Sequence, residues 1–132
     1  MKHLGQEGNA MEKDLFGICP FVTTQRLLQG KWSILVLHHL SEGPVRFNEL
    51  QRRMPKMTHA TLSRQLKQME ADQLICRNDL GTVPPCVQYS LSPIGEQFIP
   101  VLSAMQNWGE NYIKNCLEPS DDLKAYAQSF EK

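Results

Sequence analysis

Between residues 46 and 92 the apolar positions keep a helical period twice and then change to the alternation of strands. In Arg46 to Met54, Phe47, Leu50 and Met54 fall three and four residues apart, which places them on one stripe of a helix. Pro55 ends that helix, Lys56 and Met57 form a turn, and Thr58 offers a hydroxyl to the free amides of a second helix reaching about Asp72. On the second helix Leu62, Leu66 and Met69 share one face, so Ala60, Thr61, Ser63, Arg64, Lys67 and Gln68 point away from it. Residues 74–78 and 86–91 then read as two strands around a loop rich in Gly and Pro, with Val87, Tyr89 and Leu91 on one side. The expected fold is mainly α with a small β-hairpin wing, a winged helix-turn-helix.

The remaining elements follow from the same periodicities. Pro20 suits the first turn of a helix running through Leu28, with Cys19 at its cap and Gly30 beyond its end. Residues 31–42 form the next helix, and Trp32, Ile34, Leu35, Val36, Leu37 and Leu40 cover almost every side of it, which predicts the buried centre of the domain. Ser92-Pro93 starts a helix that should continue to about Cys116, with a kink or break where Pro100 removes a hydrogen-bond donor. Along it Phe98, Leu102, Met105, Trp108 or Gly109, Tyr112 and Cys116 repeat at about 3.5 residues. A helix of that length extends about 36 Å, more than a small core can cover, which predicts dimerisation through Phe98, Leu102, Met105, Trp108 and Tyr112. The alternative is that this stripe closes the core of a single chain.

Composition fits one domain, residues 19–116, between an N-terminal tail (residues 1–18) and a C-terminal tail or short helix (residues 117–132) carrying Leu123, Tyr126 and Phe130. A hydrophobic fraction of 41% over 132 residues is ample for a core, and no apolar run is long enough to cross a bilayer. Residues 1–18 hold no apolar signal region, so the expected location is the cytoplasm. The net charge of zero conceals an uneven distribution. Residues 46–79 carry seven basic residues against four acidic ones, whereas residues 80–132 carry three against six. The basic surplus coincides with the two-helix unit, as neutralisation of phosphates requires.

The outward side chains of the second helix are small, hydroxylated or cationic, and no acid interrupts them before Glu70. Short residues near a helix N-terminus let the backbone approach base edges, and Arg64 or Lys67 can reach a guanine edge or a phosphate. The expected DNA contacts are Arg46, Lys56, Thr58, His59, Thr61, Ser63, Arg64, Lys67 and Gln68, joined on the wing by Arg77, Asn78 and Thr82. The plainer reading is a solvated helix face beside an edge hairpin. Cys19, Cys76, Cys86 and Cys116 show no Cys-x-x-Cys spacing, and the four histidines form no ligand pattern, so neither a metal nor another cofactor is expected. His38 and His39 read as packing or surface residues. Cys76 and Cys86 could face each other across the hairpin. No nucleophile–base pair, carboxylate pair or phosphate loop occurs at a usable spacing, which argues against an enzyme.

Several of these residues also form a recognisable series: Cys19-Pro20, Gly30-Lys31-Trp32, Arg46-Phe47-Asn48-Glu49-Leu50, Pro85-Cys86-Val87-Gln88-Tyr89-Ser90-Leu91, Gly95 and Trp108-Gly109. In order and approximate spacing they resemble the HxlR family of winged helix-turn-helix, MarR-like transcription regulators, over about residues 19–116. The resemblance implies a homodimer built from the N-terminal and C-terminal helices, with double-stranded operator DNA as partner. The chain departs from the family at Gln73, where the family commonly has Gly, and at Ser92, where it has Thr. Gln73 should therefore adopt the positive φ that glycine takes without strain. Some relatives sense quinones, other electrophiles or oxidants through a cysteine matching Cys19. A thiol at a helix N-terminus faces the positive end of the dipole, which favours the reactive thiolate. Alternatively Cys19 only caps and packs. The expected function is a dimeric regulator, a repressor, on a pseudo-palindromic operator; the rival is a winged-helix module that binds protein without reading DNA.

Overall fold

The computed structural model describes residues 15–117. The chain divides at Gly95 into two compact units, Met1–Gly95 and Glu96–Lys132. The first contains α1 (Pro20–Leu27), α2 (Ser33–Leu40), β1 (Val45–Arg46), α3 (Phe47–Arg53), α4 (His59–Ala71), β2 (Ile75–Asp79) and β3 (Val87–Leu91). The short α5 (Pro93–Glu96) crosses the boundary, and α6 (Ile99–Cys116) is the described helix of the second unit. The expected helix around Leu123, Tyr126 and Phe130 lies outside the described residues, as does most of the N-terminal tail. Among the described residues no helix is long and apolar enough to cross a membrane.

The core of the first unit joins three helices to the root of the wing. Val36, Leu37 and Leu40 of α2, Leu50 of α3, Leu62, Leu66 and Met69 of α4, and Ile75 of β2 are each 2% exposed or less. Full burial of such a side chain contributes about 1.5–3 kcal/mol, so this cluster sets the angle between α3 and α4. Met54 and Met57, buried at either end of the turn, pin it to that cluster. The Met57 amide closes the turn onto the Met54 carbonyl at 3.0 Å, and Gln51 Nε2 donates to the Met57 carbonyl at 2.6 Å.

α2 differs from its sequence reading in one respect. Trp32 is its N-cap and only half-buried, as are Ile34 and Leu35, so the helix is buried along one stripe and not all round. That stripe includes Ser33, whose Oγ accepts a 2.9 Å hydrogen bond from Gln65 Nε2 on α4. A polar pair thus sits where periodicity alone marks only apolar positions.

The sheet has three strands in the order β1-β3-β2, all antiparallel. β1 was not foreseen: two residues are too few to show a period, and Arg46 reads equally well as the start of α3. Val45 lies opposite Tyr89 and Arg46 opposite Gln88, which fastens the root of α3 to the wing. In the hairpin Ile75 faces Leu91 and Cys76 faces Ser90. Cys86 stands outside β3, its carbonyl accepting the Leu80 amide at 3.0 Å. The two hairpin thiols therefore do not face each other, contrary to one reading of the sequence.

Gln73 adopts φ 66°, as its place after the helix requires. The Leu74 amide reaches back to the Met69 carbonyl at 3.0 Å and Gln73 to Glu70 at 3.0 Å, which satisfies the last carbonyls of α4. Ser92 then joins two elements. Its Oγ donates towards the Gln73 and Leu74 carbonyls and accepts the Gly95 amide at 3.0 Å, capping α5. A side chain at Gly95 would collide with the Leu74 carbonyl oxygen.

The helix expected over residues 92–116 is two helices. α5 is a single turn, and α6 begins at Ile99 with Pro100 in its first turn, where a missing amide costs nothing. The break at Pro100 was foreseen; the continuous length was not, and 18 residues span about 27 Å.

Candidate nucleic-acid interface

The entry to α4 is built from local polar contacts. Thr58 Oγ1 accepts the Thr61 amide at 3.1 Å, and the Thr58 hydroxyl donates to Thr61 Oγ1 at 2.8 Å. Arg64 Nη2 lies 3.5 Å from the same Thr61 oxygen. Thr58, Thr61 and Arg64 thus form a ladder along the outer edge of the helix. Thr61 is half-buried with its hydroxyl committed, and Ser63 is also half-buried. His59, Ala60, Arg64, Lys67 and Gln68 are exposed, and the His59 ring lies 4.7 Å from that of Phe47 at the start of α3. Gln68 Nε2 leans along the helix to the Asp72 carboxylate at 3.2 Å.

The charge surplus of the helix-turn-helix is distributed more sharply than counting residues reveals. Glu49 accepts hydrogen bonds from both Arg52 and Arg53, and the Arg52 contact in particular holds its carboxyl below the usual carboxylate range. Those two arginines are thereby occupied on α3. Among the described residues Arg46, Lys56, Arg64, Lys67 and Arg77 have no carboxylate in ion-pair range. All five are exposed, on the end of β1, the turn, α4 and β2.

On the wing, Arg77 is exposed beside its strand partner Tyr89. Asn78 Nδ2 donates to Ser90 Oγ at 3.1 Å, and the Thr82 hydroxyl donates to the Pro84 carbonyl at 2.9 Å, so both are engaged within the wing. Val83, absent from the sequence reading, is 98% exposed at the tip.

Cys19 is the N-cap of α1 and half-buried, and its side chain makes no capping hydrogen bond. Neither α1 nor α6 has a buried residue. Ile18 and Phe21 flank Cys19-Pro20 and are 75% and 84% exposed, a patch that could have been suspected because no stripe of α1 uses them. On α6, Val101, Met105, Trp108 and Tyr112 are exposed, while Leu102 and the N-cap residue Phe98 are half-buried. Trp108 and Tyr112 stack with ring centroids 5.5 Å apart.

A helix-turn-helix joined to a three-stranded wing, with unpaired cations on the turn, the second helix and the strands beside it, suits a regulator of transcription, and comparison with known proteins agrees. The model of the HxlR-like helix-turn-helix matches residues 27–116. The chain belongs to the HxlR family. It is 42% identical over 99 residues to the HTH-type transcriptional regulator YdeP of Bacillus subtilis, covering 75% of this chain and 77% of that one. Among solved structures it is similar to the redox regulator HypR in its oxidized form, with 38% identity and a TM-score of 0.66 over 70% of this chain and 96% of that one. The reduced form of the transcriptional regulator YodB from B. subtilis shares 31% identity and a TM-score of 0.64, covering 79% of this chain and 99% of that one. This HxlR-family chain is accordingly a winged helix-turn-helix transcription regulator, and its relatives are named as regulators, not enzymes.

Proposed function

We propose that this regulator acts in the cytoplasm as a homodimeric repressor, laying α4 of each protomer into successive major grooves of a pseudo-palindromic operator about 34 Å apart. The observation that carries the reading is the solvent face of α4, where Arg64 and Lys67 stand exposed and without carboxylate partners beside the Thr58-capped N-terminus. Arg64 and Gln68 read base edges, while His59 and Ser63 line the approach of the helix. Arg46, Lys56, Lys67 and Arg77 hold phosphates. Thr58 and Thr61 act by holding the helix end and Arg64, and Asn78 and Thr82 by shaping the wing. The protomers pair through α1 and α6, using Phe98, Leu102, Met105, Trp108 and Tyr112; the absence of buried residues on either helix supports this. A face centred on Arg64 and Lys67 does not favour the rival protein-binding module, whose contact core would be depleted of charged residues and of Lys in particular.

Cys19 is the sensing residue in this proposal. It lies between the exposed apolar residues Ile18 and Phe21, and HypR, similar over most of this chain, is a redox regulator. Alkylation of its thiol by a quinone, or its oxidation, would disturb α1 at the dimer interface and so change the spacing of the two α4 helices. The test is a gel shift on DNA upstream of the chain's own gene, first reduced and then after quinone treatment. Salt-dependent binding is expected, lost on treatment and retained in Cys19→Ser. Arg64→Ala should weaken cognate binding by about 1–3 kcal/mol and relax the choice of one base. Equal losses on cognate and random DNA would make Arg64 a phosphate contact. Binding indifferent to quinone would remove Cys19 from the mechanism.

A further inference from the structure

Behind the exposed face of α4 lies an open groove of about 820 Å³, within the range of about 300–1,000 Å³ usual for small-molecule sites. One wall is α4 itself, through Arg64, Gln65 and Asp72; the other is the end of α1, through Arg26 and Leu27, with Phe16 beside them. The lining joins apolar area from Phe16, Leu27 and Met69 to two guanidiniums, Arg26 and Arg64. Among the described residues neither arginine has a carboxylate partner. Arg26 instead rests over the Phe16 ring, 5.8 Å from its centroid. The single acid of the lining, Asp72, is eight residues beyond Arg64, about 12 Å along the helix, and accepts hydrogen bonds from Gln68. The floor is fixed: Gln65 is bonded to the buried Ser33, and a side chain at Gly30 would meet Ser33 Oγ at 2.6 Å and Gln65 at 3.1 Å.

We propose that this groove binds a small amphipathic organic anion, an aromatic or medium-chain carboxylate, whose carboxylate pairs with Arg26 and Arg64 while its apolar body lies against Phe16 and Leu27. Arginine suits that pairing because its planar fork of donors matches a carboxylate. The ligand then takes Arg64 from DNA, so the groove is an effector site that competes with the operator for one side chain. This second step rests on the DNA reading above; the binding of the anion does not.

The test uses 1-naphthoate and its neutral analogue 1-naphthalenemethanol, titrated calorimetrically into the full chain without DNA. One naphthoate per chain is expected, with the alcohol about tenfold weaker or worse, a difference of about 1.4 kcal/mol. Arg26→Gln should remove that preference for the anion and leave operator binding intact. In gel shifts naphthoate should raise the wild-type concentration needed for half-maximal binding, and do so far less for Arg26→Gln. No saturable heat, or equal affinity for acid and alcohol in the wild type, overturns the site even if the variant folds poorly. Naphthoate that binds in the groove without moving the gel shift overturns the competition. Should no DNA be bound at all, the DNA reading fails, and the calorimetric comparison still decides the site.

Discussion

At the scale of single residues, Gly95 and Ser92 show how one atom can fix a junction. Ser92 Oγ ties the end of α4 to the start of α5, and that approach is close enough that only a hydrogen fits on the Gly95 Cα. Gly95→Ala forces a methyl group against the Leu74 backbone oxygen, which cannot move without disturbing β2. The expected loss is about 1–3 kcal/mol, read as a lowered urea midpoint with unchanged slope. A midpoint equal to wild type would show that the junction yields. The Ser92 cap is legible from residue preference, whereas the positive φ of Gln73 is legible only through the resemblance, because the family commonly has Gly at that place. Sequence reading could not find the Ser33–Gln65 bond, whose partners are 32 residues apart.

At the scale of elements, α4 was legible almost to the residue: a Thr cap, an apolar face at 62, 66 and 69, and a stop before Gln73. Local rules decide all three. β1 escaped notice, being a strand only because β3 lies beside it. α6 makes the strongest claim at this scale, since an 18-residue helix with no buried residue and an exposed Trp108–Tyr112 stack has apolar surface to cover. If α6 is the dimer helix, Trp108→Ala should weaken self-association and operator binding together, because aromatic residues supply much of the energy of such interfaces. Sedimentation at several concentrations would measure the shift. A variant as dimeric as wild type would show that Trp108 serves no interface.

At the scale of the whole molecule, stability depends on pH through the histidine pair at the end of α2. Burial lowers the His39 pKa below its ordinary 6.5, with further lowering by His38 and Arg53. Burial also lowers His38, partly offset by Glu42. The folded chain therefore binds these protons less readily than the unfolded chain. The contribution of this pair is full above about 6.5, falls as the pH drops below it, and levels off beneath the lower folded values. His39→Gln should flatten that decline in urea midpoints measured from about pH 7.5 to about pH 5; a slope equal to wild type would assign the dependence to other groups. What the sequence by itself determined about this chain is everything short-ranged: its helices and hairpin, their caps, the polar outer face of α4 and its family. All but the family rest on periods and propensities that act within a few residues; the family rests on a series of motifs spread over about residues 19–116. What only the tertiary structure decided is which of those features meet: the third strand, the separation of Cys76 from Cys86, the Ser33–Gln65 bond, and the groove between α1 and α4. Chain closure and the choice among competing partners produce these, and neither leaves a local period to read.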